Sequence, residues 1–121
     1  MIFSIILSLS MAFAVAGESI KCEKGFLRMS MEGKKIVEES AYCFNEDKNM
    51  LYSKGFAMKK LKKIKIHESG SINPGFELCE ALKGEAQFVE FKAEGEWYKL
   101  DRCLFADKSY IDTGLLYQKT R

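Results

Sequence analysis

From residue 20 onward, apolar and polar positions alternate over long stretches with a period of two, the pattern of strands with one buried face. Ile20 to Met31 and Lys34 to Phe44 read as two such strands on either side of Glu32-Gly33, where Gly33 can take the positive φ of a tight hairpin turn. Asn45 to Asn49 has turn composition and Met50 to Ser53 is a short third run, so the chain opens as a β-meander. Phe56 to His67 fits neither the helical nor the strand period, and Glu68-Ser69-Gly70-Ser71 closes it as a linker. Asn73 is then an N-cap, Pro74 suits the first helical position and Gly84 is a stop after Lys83. These signals predict a helix over about 74–83 with Phe76, Cys79 and Leu82 on one face.

A second hairpin follows. With Glu94-Gly95 as its turn, Phe91 faces Tyr98, Glu90 faces Lys99 and Val89 faces Leu100: an aromatic, an opposite-charge and an apolar pair. Val89, Phe91, Tyr98 and Leu100 then share one apolar face. Cys103 falls on the opposite face with Trp97, Lys99 and Asp101, so either a bulge near Asp101-Arg102 resets the alternation or the helix covers that side. Asp107-Lys108-Ser109 is the next turn, and Tyr110 to Tyr117 is a terminal strand or a short helix. The elements predict an α+β fold, a small disulfide-stapled domain of antiparallel hairpins with one short helix.

Composition adds an address. The first sixteen residues carry no charged side chain, while the rest of the 121-residue chain holds all 19 Lys and Arg and all 17 Asp and Glu. Ile2 to Val15 is an apolar run relieved only by serines, and it ends in Ala14-Val15-Ala16, an h-region with an A-x-A cleavage site. No Lys or Arg precedes it, which leaves the terminal amine as the only charge of the n-region. The run is shorter than the roughly 20 apolar residues of a membrane span. Residues 1–16 are therefore expected to be a signal peptide, and 17–121 a single small exported domain, periplasmic or extracellular, with no transmembrane segment after cleavage. Within it, residues 17–71 form the meander and a Lys-rich segment, and residues 72–121 the helix and hairpin. A net charge of +2 argues against a dedicated nucleic-acid binder, and 47% hydrophobic residues with one proline argue against disorder.

In an exported chain the even number of cysteines favours disulfides. Cys22, Cys43, Cys79 and Cys103 are separated by 20, 35 and 23 residues, whereas structural zinc sites bring their ligands in close pairs. A two-residue turn at Glu32-Gly33 sets Cys22 opposite Cys43 at a non-hydrogen-bonded site, where Cα atoms are closest, and leaves Cys79 for Cys103. Glutamate fits positive φ poorly, and a three-residue turn with Gly33 in the bulge position would spoil this match.

The C-terminal residues resemble a known family. Asn73-Pro74, Cys79, Lys83-Gly84 and Cys103-Leu104-Phe105-Ala106-Asp107-Lys108-Ser109 are similar in order and spacing to the small domain of unknown function in bacterial exported proteins that carry the hemolysin label. The resemblance covers residues 73–112. Gly75-Phe76, Ala106 and Lys108 depart from its pattern, and Ile111, Asp112 and Gly114 replace its later Cys, Glu and Trp. It implies export, to the periplasm or surface of a Gram-negative bacterium, and no reaction.

Candidate chemistry is sparse. His67 is the only histidine, so any Ser-His-Asp or Cys-His arrangement must use it, yet no nucleophile motif accompanies it. Glu38 and Glu39, adjacent on a strand, point to opposite faces and do not form an acid–base pair. Lys59, Lys60, Lys62, Lys63 and Lys65, interleaved with Leu61 and Ile64, form the one strong charge run. They are either a site for an anionic lipid or polymer or the protective lysines of an edge strand. The expectation is a non-enzymatic envelope or secreted module without cofactor or metal, binding an anionic envelope surface or another protein. A small protein inhibitor or effector is the first alternative and a hydrolase using His67 the second.

Overall fold

A computed structural model describes residues 19–58, 61 and 73–120; the expected signal peptide lies outside the described residues. The elements run β1 (Ile20–Met31), β2 (Lys34–Asn45), β3 (Leu51–Ser53), α1 (Pro74–Ala81), β4 (Glu85–Ala93), β5 (Glu96–Leu104), β6 (Tyr110–Asp112) and α2 (Thr113–Thr120). The strands close into an antiparallel barrel in the order β1-β2-β3-β6-β5-β4. This corrects the expected α+β arrangement of separate hairpins with one helix. Alternation marks which face of a strand is buried, but not which distant strand lies beside it. Closure depends on such distant pairings: β1 with β4 through Leu27↔Phe91 and Arg28↔Glu90, and β3 with β6 through Tyr52↔Ile111.

Both hairpins have the turns and registers that alternation predicts. Glu32 and Gly33 stand at φ 52° and 78°, and Glu94 and Gly95 at 52° and 83°, so glutamate takes the left-handed region twice to make a two-residue turn. Cys22 therefore faces Cys43, and Phe91 faces Tyr98. The β4·β5 register runs unbroken from Glu85↔Leu104 to Ala93↔Glu96. With no bulge, Cys103 stays on the outer side, and α1 covers it there.

Leu27, Met29, Tyr42, Phe44, Leu51, Val89, Phe91, Ala93 and Tyr110 fill the barrel. A second core lies outside it, where Leu78 and Cys79 of α1 and Leu115 and Leu116 of α2 pack on Cys103 and Ile111. The Asn73 side chain caps α1 by accepting the Phe76 N–H at 3.1 Å, as its sequence predicts. The helix ends at Ala81 rather than Lys83, because Leu82 forms the cap and Lys83 takes φ 68°. Gly84 closes the helix end by donating its N–H to the Cys79 carbonyl at 2.9 Å, and a Cβ there would overlap the Cys103 sulfur. Tyr110 to Tyr117 resolves into a strand and a helix in succession. The Asp112 carboxylate makes the junction, accepting the Leu115 N–H to start α2 and the Leu51 N–H to hold β3, each at 2.8 Å.

The β1·β4 seam has little main-chain pairing of its own, and a side chain completes it. Tyr42 of β2 lies across the barrel, its hydroxyl donating to the Lys92 carbonyl at 2.5 Å and standing 3.4 Å from the Phe26 carbonyl. Phe26 and Lys92 are the residues that would pair next if the ladder continued past Leu27↔Phe91. A Cβ at Gly25 would overlap this hydroxyl and lie 2.8 Å from Tyr42 Cζ, so glycine is what lets the ring pass. Gly→Ala in a strand ordinarily stabilises slightly. Gly25→Ala should instead destabilise by about 1–3 kcal/mol, the usual cost of overpacking. Urea titration of Gly25→Ala in the wild-type and Tyr42→Leu backgrounds checks this, the penalty being expected to shrink when the ring is gone.

Candidate functional site

The four cysteines form two disulfides, Cys22–Cys43 with Cα atoms 4.0 Å apart and Cys79–Cys103 with Cα atoms 5.6 Å apart. The first spacing is that of a non-hydrogen-bonded cross-strand pair. Paired cysteines belong to an oxidising, exported environment. No helix among the described residues is long and apolar enough to cross a membrane. Lys59, Lys60, Lys62, Lys63 and Lys65, and His67 beside them, lie outside the described residues. The candidate surfaces below are therefore built from other side chains.

The helices cover the outer face of β3, β6 and the end of β5. On the other side of the barrel, the outward residues of β2, β1, β4 and β5 form an open face. Alternation about the inward Leu27, Met29, Val89 and Phe91 turns Lys24, Phe26, Arg28, Lys35, Val37, Glu39, Phe88, Glu90, Lys92, Trp97, Lys99 and Asp101 outward. Lys24, Arg28, Lys35, Lys92 and Lys99 outnumber Glu39, Glu90 and Asp101 there. Arg28 Nε donates to Glu90 at 2.6 Å while its guanidinium stacks 3.9 Å from the Trp97 ring centre, and Lys92 Nζ stands 5.8 Å from the same ring. The hydrogen bond from Arg28 holds the Glu90 carboxyl below its usual range, with Lys99 and Lys35 acting in the same direction. Trp97 is thus fixed between cations, while Phe26 and Phe88 are 45% and 72% exposed. An open cleft of about 770 Å³ borders the face, with Arg28, Lys35 and Lys99 among its cations and Asn73 and Thr113, at the starts of the two helices, also lining it.

A separate polar cluster sits inside the barrel. Arg102 has the parity of Tyr98 and Leu100 and so points inward, where it is almost wholly buried. Its Nη1 and Nη2 donate to Glu38 at 3.3 and 3.4 Å, and its Nε donates to Gln87 at 2.9 Å. The guanidinium also lies 4.8 Å from the centre of the Tyr110 ring, whose hydroxyl is 2.6 Å from Ser40 Oγ. Alternation already carried the signal for this cluster, since a strand whose Tyr98 and Leu100 face inward must turn Arg102 inward too. Among the described residues, no group of three or more His, Cys, Asp or Glu could hold a metal ion. The interior network is spent on itself, whereas the open outer face presents cations and aromatic rings to solvent.

Comparison with protein-family models, curated proteins and solved structures finds no match to this chain.

The Arg102 network makes an asymmetric prediction. Glu38→Ala leaves a buried guanidinium without its carboxylate and should cost about 3 kcal/mol, the low end for a broken buried pair because Glu38 itself reaches solvent. Arg102→Met fills the same space and leaves Glu38 free to hydrate, so it should cost less; equilibrium urea unfolding of both variants compares them. Burial pushes the Tyr110 hydroxyl up to about 12, against the opposing effects of its Ser40 hydrogen bond and the Arg102 charge. Its raised pKa means that the unfolded chain releases this proton first. The contribution to stability is then complete below the ordinary tyrosine pKa of about 10 and is lost between there and about 12. Alkaline titration followed by ultraviolet absorbance should show a tyrosine that ionises only near the top of that window.

Proposed function

We propose that the protein is a non-enzymatic exported module, freed from its signal peptide into the periplasm or the medium, that binds an anionic surface. The observation that carries this reading is the open face of β1, β4 and β5, where Lys24 and Lys92 stand beside exposed Phe26 and Lys99 shares the face with exposed Phe88. Cations draw the protein to an anionic surface, and exposed aromatic rings on the same face add shallow apolar contact, the combination that interfacial binding uses. Lys59, Lys60, Lys62, Lys63 and Lys65 bring further positive charge in the same chain. The disulfides and the resemblance of residues 73–112 to an exported bacterial domain support the address. Neither supplies a reaction, and the lone His67 has no nucleophile motif beside it.

Sedimentation with phosphatidylglycerol vesicles at low salt, set against phosphatidylcholine vesicles, tests the proposal. The protein should bind the anionic vesicles only, and binding should weaken steeply as salt is raised, since the Debye length falls from about 30 Å at 0.01 M to about 8 Å at 0.15 M. The triple variant Lys24→Gln, Lys92→Gln, Lys99→Gln should lose most of this binding while still unfolding in one cooperative thermal transition. Binding that survives the triple variant but disappears when residues 59, 60, 62, 63 and 65 become Gln would move the site to the lysine run. No binding to either vesicle would remove the reading.

A further inference from the structure

Among the described residues, the outer edge of β2 is paired over only part of its length. Its ladder with β3 covers Tyr42 to Phe44, and the Lys54 N–H reaches back to the Ala41 carbonyl. From Lys34 to Ser40 the strand has β1 on one side and, among the described residues, no strand on the other. In the β1·β2 register, Lys34, Ile36, Glu38 and Ser40 sit at the hydrogen-bonded positions, which turns the N–H and C=O groups of Lys35, Val37 and Glu39 toward the free edge. Such an edge is a template for another strand unless something blunts it. Here the centre is apolar and open, with Val37 59% and Ile36 41% exposed.

We propose that two copies of the chain join through this edge, β2 against β2, antiparallel about a two-fold axis at Val37. A two-fold axis normal to the sheet keeps each copy's inner face on the same side, so residues of equal parity must stand opposite one another. Centred on Val37, the register sets Val37 against its own copy and Lys35 against Glu39 on both sides. All of these residues have free edge groups, so each facing pair can exchange both main-chain hydrogen bonds. Side chains agree with the backbone, because an apolar pair lies at the axis and an opposite-charge pair flanks it on each side. An edge protected against association would carry like charges along its length. The run Lys34-Lys35-Ile36-Val37-Glu38-Glu39 is positive at one end and negative at the other, which repels a parallel copy and attracts an antiparallel one. Centring on Ile36 instead would face Lys35 with Val37 and leave Glu39 opposite Gly33, wasting the charges.

Sedimentation velocity of the disulfide-intact protein, from about 1 µM to about 1 mM, should show a monomer–dimer equilibrium. Lys35→Glu and Glu39→Lys should each weaken association by at least about tenfold, since each sets like charges opposite one another twice. Combining them should restore the dimer, because every facing pair is opposite in sign again. Val37→Pro should abolish association and leave the fold intact, for its N–H points away from β1 and proline is tolerated on a free edge. A protein monomeric over the whole range overturns the proposal. So does a dimer that persists in Val37→Pro, or a charge swap that fails to restore what the single reversals lose.

Discussion

A tyrosine hydroxyl reinforces the β1·β4 seam at which the barrel closes. β1 and β4 pair through Leu27↔Phe91 and Arg28↔Glu90, a short seam. Tyr42 extends it from inside by binding the Lys92 carbonyl beside Phe26, and it can do so only because Gly25 leaves room for the ring. The same ring is an edge-on neighbour of Phe91, with centroids 5.7 Å apart, so the residue that bonds the seam also packs the core behind it. On the outer side Arg28 bridges the seam to Glu90 and stacks its guanidinium on Trp97. Inside and outside of the barrel are thereby defined, and each strand's alternate residues acquire their separate tasks.

Closure at this seam also exposes a symmetry. Each half of the chain is a hairpin with a Glu-Gly turn, a three-residue strand and an eight-residue helix. Arg28 and Glu90 stand at equal distances before their turns, and they face each other; Tyr52 and Ile111 are the middle residues of their short strands, and they face each other too. A pairing pattern of this kind is that of two β-β-β-α units about a two-fold axis through both contacts. The units are alike in topology and unlike in chemistry. At the position where the first unit has the hydroxyl of Ser40, the second has the guanidinium of Arg102, and those unlike residues meet Tyr110 within the same interior cluster. In the second unit α2 follows β6 at once, capped by Asp112, whose carboxyl burial holds above its usual range. In the first, a long connection separates β3 from α1.

What could be read from the sequence follows from the range over which each signal acts. The Glu-Gly turns fix registers within a few residues, so Cys22 opposite Cys43 and Phe91 opposite Tyr98 were legible. Asn73 and Pro74 act within one helical turn, and α1 begins where they set it. Barrel closure was illegible because nothing local to Leu27 names Phe91 as its neighbour. The awkward position of Cys103 was a genuine signal, since an apolar residue facing outward requires a cover, and α1 with α2 supplies it. Arg102 could have been found by the same alternation, yet a charge with inward parity reads as an error until Glu38 and Gln87 are brought to it by the fold. The open cationic face was hidden for a related reason: Arg28, Lys92 and Lys99 are scattered in sequence and meet only when β1, β4 and β5 lie side by side.

The two disulfides share one level of the barrel. Cys22, Cys43, Tyr52, Ile111 and Cys103 are cross-strand neighbours in succession, so both bridges lie on one outward belt around the barrel. At one end of that belt, the first residues of β1 pair with β2 and, among the described residues, with no other strand, and Cys22–Cys43 pins them to it. At the other end, α1 is an eight-residue helix, too short to be stable alone, and Cys79–Cys103 fastens it to β5. Loops of this length give about 3 kcal/mol per bridge in the chain-entropy account, a large part of the 5–15 kcal/mol that holds an ordinary domain together. A small barrel with a short seam has few other places to find that margin. Two bridges of this worth suit a chain that works in an oxidising compartment.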